Sequence, residues 1–218
     1  SVDGSVQYFA VTPPASGAAD GKRAIILTLH GAGVEASGQA AAYAPKPWAW
    51  IVAPTNRRPY GFDWEDWGRL DTLEVLSHAW EEFEAFDGCF LTGHSMGGHG
   101  TWSLGVHRSD LFDAIAPSAG WIDFWSYAGQ DLGAPADEVD AMLRRASNAS
   151  RTLLLLENLA HRGVYVLHGA ADDNVPVGQA RRMREELAKF HRDFEYHEQP
   201  GAGHWWGNEC VDWPPLME

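Results

Sequence analysis

At 218 residues, with 45% hydrophobic and 21% charged side chains, the chain has the size and balance of one globular domain with its own core. Thirty acidic residues against 16 basic give a net charge of −14, which argues against nucleic acid and anionic membrane surfaces as main partners. No apolar run is long enough to cross a bilayer, so no transmembrane segment is expected. No secretory leader is visible and the first residue is Ser1, so the chain reads as a processed protein or as a domain excised from a longer one. A soluble protein, secreted or periplasmic after processing, is compatible with this, and the compartment stays open. Two cysteines, Cys89 and Cys210, do not make a disulfide framework and read as buried free thiols.

The elements follow in chain order. Val6–Val11 reads as an edge strand and 17–21 as a turn. Ala24–Leu29 is a strongly apolar strand that ends in His30-Gly31-Ala32-Gly33. Ser37–Tyr43 suits a short alanine-rich helix, and Trp48–Ala53 a strand stopped by Pro54. From Asp66 to Phe83 the apolar residues Trp67, Leu70, Leu73, Leu76, Ala79, Trp80 and Phe83 recur at helical spacing. Cys89–Thr92 is a short buried strand, Met96–His107 a packed helix and Phe112–Ala116 a further strand. Residues 121–150 carry no strand pattern and read as a small insertion at the rim. Thr152–Leu159 suits a short helix, Gly163–Leu167 a strand, Pro176–His191 a helix and Phe194–Gln199 a last strand. Strands alternating with helices imply a mainly parallel sheet covered on both faces, within one domain over 1–218.

In such sheets ligands bind at the carboxyl ends of the strands, and the candidate motifs all fall there. The strand Cys89–Thr92 runs into Gly93-His94-Ser95-Met96-Gly97, and a helix follows. Gly-x-Ser-x-Gly between strand and helix is a nucleophile elbow, a sharp turn that exposes one serine above the sheet. The pattern alone is weak, with roughly 0.1 chance matches expected in such a chain, so its strand-to-helix setting carries the assignment of Ser95 as nucleophile. A serine hydroxyl needs a base to take its proton, and the base needs an acid to orient it. The chain order in this fold is serine, acid, histidine. Asp172 and Asp173 both lie in the loop after the strand Gly163–Leu167, and spacing from the strand end favours Asp172, with Asp173 in a capping or packing role. Among ten histidines, His204 alone combines this order with a glycine-rich loop after the last strand, which makes it the general base. For the oxyanion, backbone N–H donors are expected from Met96 and from the His30–Gly33 loop, Ala32 first and Gly33 second.

Together these residues resemble the α/β-hydrolase superfamily over nearly the whole chain. Gly93-His94-Ser95-Met96-Gly97-Gly98 and His168-Gly169-Ala170-Ala171-Asp172-Asp173-Asn174-Val175-Pro176 are similar to signatures of the prolyl oligopeptidase catalytic domain. The resemblance extends to the related dienelactone-hydrolase-like and feruloyl or acetyl-xylan esterases. The resemblance implies Ser95, Asp172 and His204 as a triad. Two departures separate the chain from the peptidases. It has no room for the β-propeller that precedes their catalytic domain. Its early loop, Leu29-His30-Gly31-Ala32-Gly33, lacks the tyrosine that tends to serve their oxyanion. A carboxylesterase-like serine hydrolase is therefore preferred over a serine peptidase of prolyl oligopeptidase type. A non-catalytic binding module is the third class, and an unchanged activity in Ser95→Ala would mark it.

Eleven tryptophans are many for this length. Trp121 and Trp125 follow a strand end near the elbow, and Trp205 follows the expected base, so an aromatic-walled cleft is expected with these three in substrate binding. The expected partner is a small-molecule ester, aromatic or carbohydrate-linked. Asp63, Glu65, Asp66 and Asp71 lack a neighbouring histidine or cysteine cluster in the sequence, so no metal and no cofactor is called for. Asp66 suits the N-cap of the helix that follows it.

Overall fold

A computed structural model describes residues 3–15, 23–83, 88–129 and 133–217. Among the described residues seven strands occur in chain order: β1 (Phe9–Thr12), β2 (Ala24–Leu29), β3 (Ala49–Pro54), β4 (Cys89–His94), β5 (Ala114–Ser118), β6 (Gly163–Gly169) and β7 (Phe194–Gln199). They form one sheet in the order β1-β3-β2-β4-β5-β6-β7. Only the β1–β3 pairing is antiparallel; every other neighbouring pair runs parallel. This is the mainly parallel sheet of the α/β-hydrolase fold.

Burial explains why the strands read so clearly. Every residue of β2, Ala-Ile-Ile-Leu-Thr-Leu, is buried, as expected of a central parallel strand covered on both faces. Alternate side chains serve opposite layers. Ile25, Leu27 and Leu29 join the main core with Leu91, Ile115 and Val166. The helices α2 (Asp66–Glu82), α3 (Met96–His107) and α7 (Gly178–Leu187) contribute Leu76, Trp102, Leu104 and Met183 to that core. Each such fully buried Leu or Ile contributes roughly 1.5–3 kcal/mol relative to leaving it in water. Ile26 and Ile51 face the other way, where Tyr43, Val211 and Met217 cover them. The short helix α1 (Ala36–Ala41) packs Ala36 and Ala40 on Ala53 of β3. Cys89 and Cys210 are free and buried.

Boundaries move by a few residues. The first strand begins at Phe9, not Val6, which is almost wholly exposed, because pairing with β3 extends only over Phe9–Thr12. The fifth begins at Ala114 and runs on through Pro117 to Ser118, since a parallel neighbour on each side accepts a proline where no ladder N–H is required. The helix expected over Pro176–His191 is regular only between Gly178 and Leu187. In the stretch 152–159 one α-turn, α6 (Thr152–Leu155), continues as a 3₁₀ turn over Leu156–Leu159. The insertion 121–150 contains no strand among its described residues and holds α4 (Phe124–Tyr127) and α5 (Glu138–Ala146). Asp123 opens α4 with a reciprocal capping box to Ser126. Asp66 is not an N-cap: it is already helical, and Glu65 precedes it without a side-chain cap bond. The turn expected over 17–21 lies outside the described residues.

Candidate active site

The elbow is built as its motif demands. β4 delivers Ser95 at φ 60° and ψ −119°, a backbone region that costs a non-glycine residue about 1–3 kcal/mol. The strain is held in place by a hydrogen bond from the Ser95 N–H to the Ser118 carbonyl, 3.0 Å, and by close packing under the turn. A Cβ on Gly97 would run into the Leu29 carbonyl of the neighbouring strand, so this position admits only glycine. The Ser95 hydroxyl caps no helix. It donates instead to His204 Nε2 at 2.8 Å.

His204 Nδ1 in turn donates to both oxygens of Asp172, at 2.8 Å and 3.0 Å. Asp172 accepts from three further directions. The N–H groups of Asn174 and Val175 reach Oδ1 at 2.9 Å and 2.8 Å, and His168 Nε2 stands 3.2 Å from Oδ2. Burial opposes the charge on this carboxylate, yet the bonds from His168, His204 and the two backbone donors prevail and hold it well below the usual carboxylate range. The loops carrying acid and base are laced together. Ala170 N–H donates to Gln199 O and Ala171 N–H to Ala202 O, and Gly169 is glycine because a Cβ there would strike the carbonyls of Ala202 and Gly203. Beneath His204 lies His94, ring centroids 4.9 Å apart. Burial first, and then the nearby His204, push the His94 imidazole down to about 3, so it packs there uncharged at neutral pH. Of the two acid candidates, Asp172 reaches the histidine and Asp173 is exposed.

Beside the serine runs the loop after β2. A Cβ on Gly31 would stand 3.4 Å from the Ser95 Cβ. Among the described residues the N–H groups of Ala32 and Met96 carry no hydrogen bond, whereas that of Gly33 donates to Pro59 O at 2.9 Å. Two anchors fix this loop from below: the buried His30 ring sits 2.9 Å from both Gly31 O and Thr55 O, and Trp64 Nε1 donates to His30 O at 3.1 Å. The early loop has no tyrosine in its own sequence, but the fold supplies one. Tyr60, exposed, stands with its hydroxyl 2.9 Å from where a Gly33 Cβ would be.

The three tryptophans expected in a cleft wall have separate fates. Trp121 is 6% exposed and belongs to the main core. It stacks between His99 (5.0 Å, 8°) and Tyr127 (4.7 Å, 12°), so neither ring face is left for a ligand, which corrects its expected place in the wall. Half-buried Trp125 lines a cavity of about 510 Å³ with Ser126, Arg151, Gln179 and Arg182. Trp205 is 53% exposed and meets His94 edge-on at 5.3 Å, on the His204 side of the elbow. Sequence spacing also left the acidic stretch 63–71 without a histidine. The fold provides His99, one helical turn past Ser95, at 3.5 Å from Asp63 and 3.3 Å from Glu65. Glu65 is held further by Ser150 at 2.5 Å, from the end of the insertion.

Residues 57–212 match the model of the prolyl oligopeptidase family, and the chain belongs to that family. A protein of Arthroderma benhamiae named as an uncharacterized secreted protein is 32% identical over 93% of this chain. The chain spans about a quarter, 24%, of that relative's length. Among solved structures, fluorophosphonate-binding serine hydrolase F of Staphylococcus aureus superposes with a TM-score of 0.69 at 15% identity, covering 97% of this chain and 89% of that one. A thermostable esterase gives 0.66 at 20% identity, over 96% of this chain and 55% of that one. An acylaminoacyl peptidase of Pyrococcus horikoshii gives 0.64 at 19% identity, over 90% and 35%. At these identities the likeness is one of fold, and the fold is that of the α/β-hydrolases. Among the described residues no helix is long and apolar enough to cross a membrane.

Proposed function

We propose that this member of a serine-hydrolase family cleaves carboxylic esters through an acyl-enzyme on Ser95. The observation that carries the reading is the unbroken chain Ser95 Oγ–His204 Nε2 and His204 Nδ1–Asp172, three side chains from three loops within hydrogen-bond reach. Ser95 Oγ attacks the ester carbonyl as its proton passes to His204 Nε2. Asp172 keeps the imidazole proton on Nδ1 and stabilises the imidazolium. The unpartnered N–H groups of Met96 and Ala32 receive the oxyanion; Gly33, committed to Pro59, is the poorer donor. Collapse breaks the ester C–O bond, and His204 returns its proton to the departing alcohol. Water, activated by the same histidine, then attacks the acyl carbonyl and releases the acid and Ser95. The substrate class is a small ester, aromatic or carbohydrate-linked, with Trp205 as the wall nearest the base.

The test is turnover of p-nitrophenyl acetate and butyrate together with labelling by a fluorophosphonate. Ser95→Ala is expected to abolish labelling and lower turnover by about 10⁴-fold or more at unchanged melting temperature. A folded wild-type protein that neither labels nor hydrolyses esters would end the reading.

A second reading, a serine peptidase, rests on membership of the prolyl oligopeptidase family and on the Tyr60 hydroxyl beside the oxyanion loop. It requires a Pro- or Ala-aminoacyl anilide to be cleaved at rates comparable to esters. Esters alone turning over would leave the first reading in place.

A further inference from the structure

His168 is not one of the three residues assigned a chemical step, yet it is built into their support. It stands at the end of β6, four residues before Asp172, and its side chain is buried. Among the described residues its Nε2 faces two acceptors: the Val175 carbonyl at 2.9 Å and Asp172 Oδ2 at 3.2 Å. Neither group can donate once Asp172 is ionised, so the ring must carry its proton on Nε2. Nδ1 is buried without a partner among the described residues, and an N–H there would be an unsatisfied buried donor.

The contact closes a ring of bonds. Asp172 Oδ1 accepts from Asn174 and Val175, which folds the acid loop back on its own carboxylate. The Val175 carbonyl, at the far end of that turn, is tied down by His168. The same imidazole edge covers Oδ2, the oxygen that His204 approaches most closely. Asp172 has no exposed side-chain surface, so no water replaces a donor that is lost.

We propose that His168 is a positioning residue for the Asp172–His204 pair: its Nε2–H, set between the Val175 carbonyl and Asp172 Oδ2, fixes the plane of the carboxylate and shares its negative charge. This rests on the functional reading given above. Removing the donor leaves a more basic carboxylate free to turn, and the imidazolium that forms on His204 is then held more tightly and aimed less well. The other titratable groups facing the pair are Ser95 from the elbow and His94 from β4; Trp205 contributes an uncharged wall.

The experiment compares His168→Phe and His168→Leu, which keep apolar bulk and lose the donor, with His168→Gln, whose amide nitrogen reaches about the Nε2 position. With p-nitrophenyl acetate, the apolar variants are expected to lose about 10–100-fold in kcat with KM within about twofold. The acid limb of their kcat/KM profile should move up by about half a pH unit, and Gln should recover most of both effects. A second readout needs no turnover: in a Ser95→Ala background, the downfield proton resonance of His204 Nδ1–H should broaden or shift when the donor is removed and return with Gln. Full kcat in a folded apolar variant overturns the proposal. So does an equal loss in all three variants with an unmoved acid limb and resonance, which would make His168 a packing residue only. If neither apolar variant folds, the Gln variant decides: near wild-type kcat and resonance support the proposal, and loss of both overturns it. A wild-type protein that lacks ester turnover would sink the functional reading but leave the resonance test standing.

Discussion

Ser95, Asp172 and His204 meet through bonds of 2.8 to 3.0 Å, although 77 residues separate Ser95 from Asp172 and 32 separate Asp172 from His204. Trp121, Trp125 and Trp205 share a residue type and a strand-end address, and they have nothing else in common: one is core, one lines a side cavity, one is open to solvent. The difference teaches how the two kinds of site are made. The proposed proton relay requires each group to find its partner to within a few tenths of an ångström, which fits the bonds that hold these three side chains together. An aromatic surface has no such partner condition, and packing decides which rings are withdrawn into the interior.

The comparison can be tested from its strong end to its weak one. Asp172→Asn keeps the shape of the acid and removes its charge; kcat on a p-nitrophenyl ester should fall by about 10³–10⁴-fold with little change in melting temperature. A loss below tenfold would mean that His204 does not depend on this carboxylate. Trp121→Ala should act oppositely, costing about 3–5 kcal/mol in urea unfolding through the cavity left between His99 and Tyr127. A stable Trp121→Ala protein with raised KM would return this ring to the cleft wall.

Next comes the acidic group under the insertion. Burial is the largest influence on Asp63 and raises its carboxyl to about 7; the nearby His99 pulls it down and Glu65 pushes it up. Burial opposes charge on His99 too, but the bond to Glu65 and the charges of Asp63 and Glu65 prevail and raise it. A carboxyl raised by folding contributes stability that is full below its ordinary value of about 4 and is lost as the pH climbs through the folded value near 7. Asp63→Asn should therefore flatten the dependence of unfolding free energy on pH between about 4 and 7. The variant should gain on the order of 1–2 kcal/mol over wild type at pH 8. Parallel urea curves for both proteins at pH 4.5 and 8 would refute this. The smallest effect is expected for Trp205→Ala: KM raised about three- to tenfold for an aromatic ester, KM for acetate and the melting temperature almost unmoved. Equal changes for both esters would remove Trp205 from acyl recognition.

What could be read from the chain follows the range of the forces involved. Ala24–Leu29 and Cys89–Thr92 announce themselves because a central parallel strand must be apolar on both faces, and the structure extends the second to His94. Gly-x-Ser-x-Gly is legible because the elbow's requirements fall within five consecutive residues, and Gly97 shows why, abutting the Leu29 carbonyl. Asp172 and His204 could be placed by chain order and strand ends, which are properties of topology. His99 could not be seen beside Glu65, 34 residues earlier, nor Tyr60 beside Gly33, since no local pattern encodes either approach. The sequence ranks Ala32 ahead of Gly33 as a donor, and only the fold shows the Gly33 N–H bound to the Pro59 carbonyl.

By itself, then, the sequence determined the sheet, the elbow and the strand-end loops that carry Ser95, Asp172 and His204, because backbone sterics and hydrophobic period act over a few residues. Tertiary structure alone decided which N–H groups stay unpartnered, which tryptophans are buried and that His168 stands behind the acid. Those are outcomes of close packing between distant segments, where a shift of an ångström separates a hydrogen bond from none.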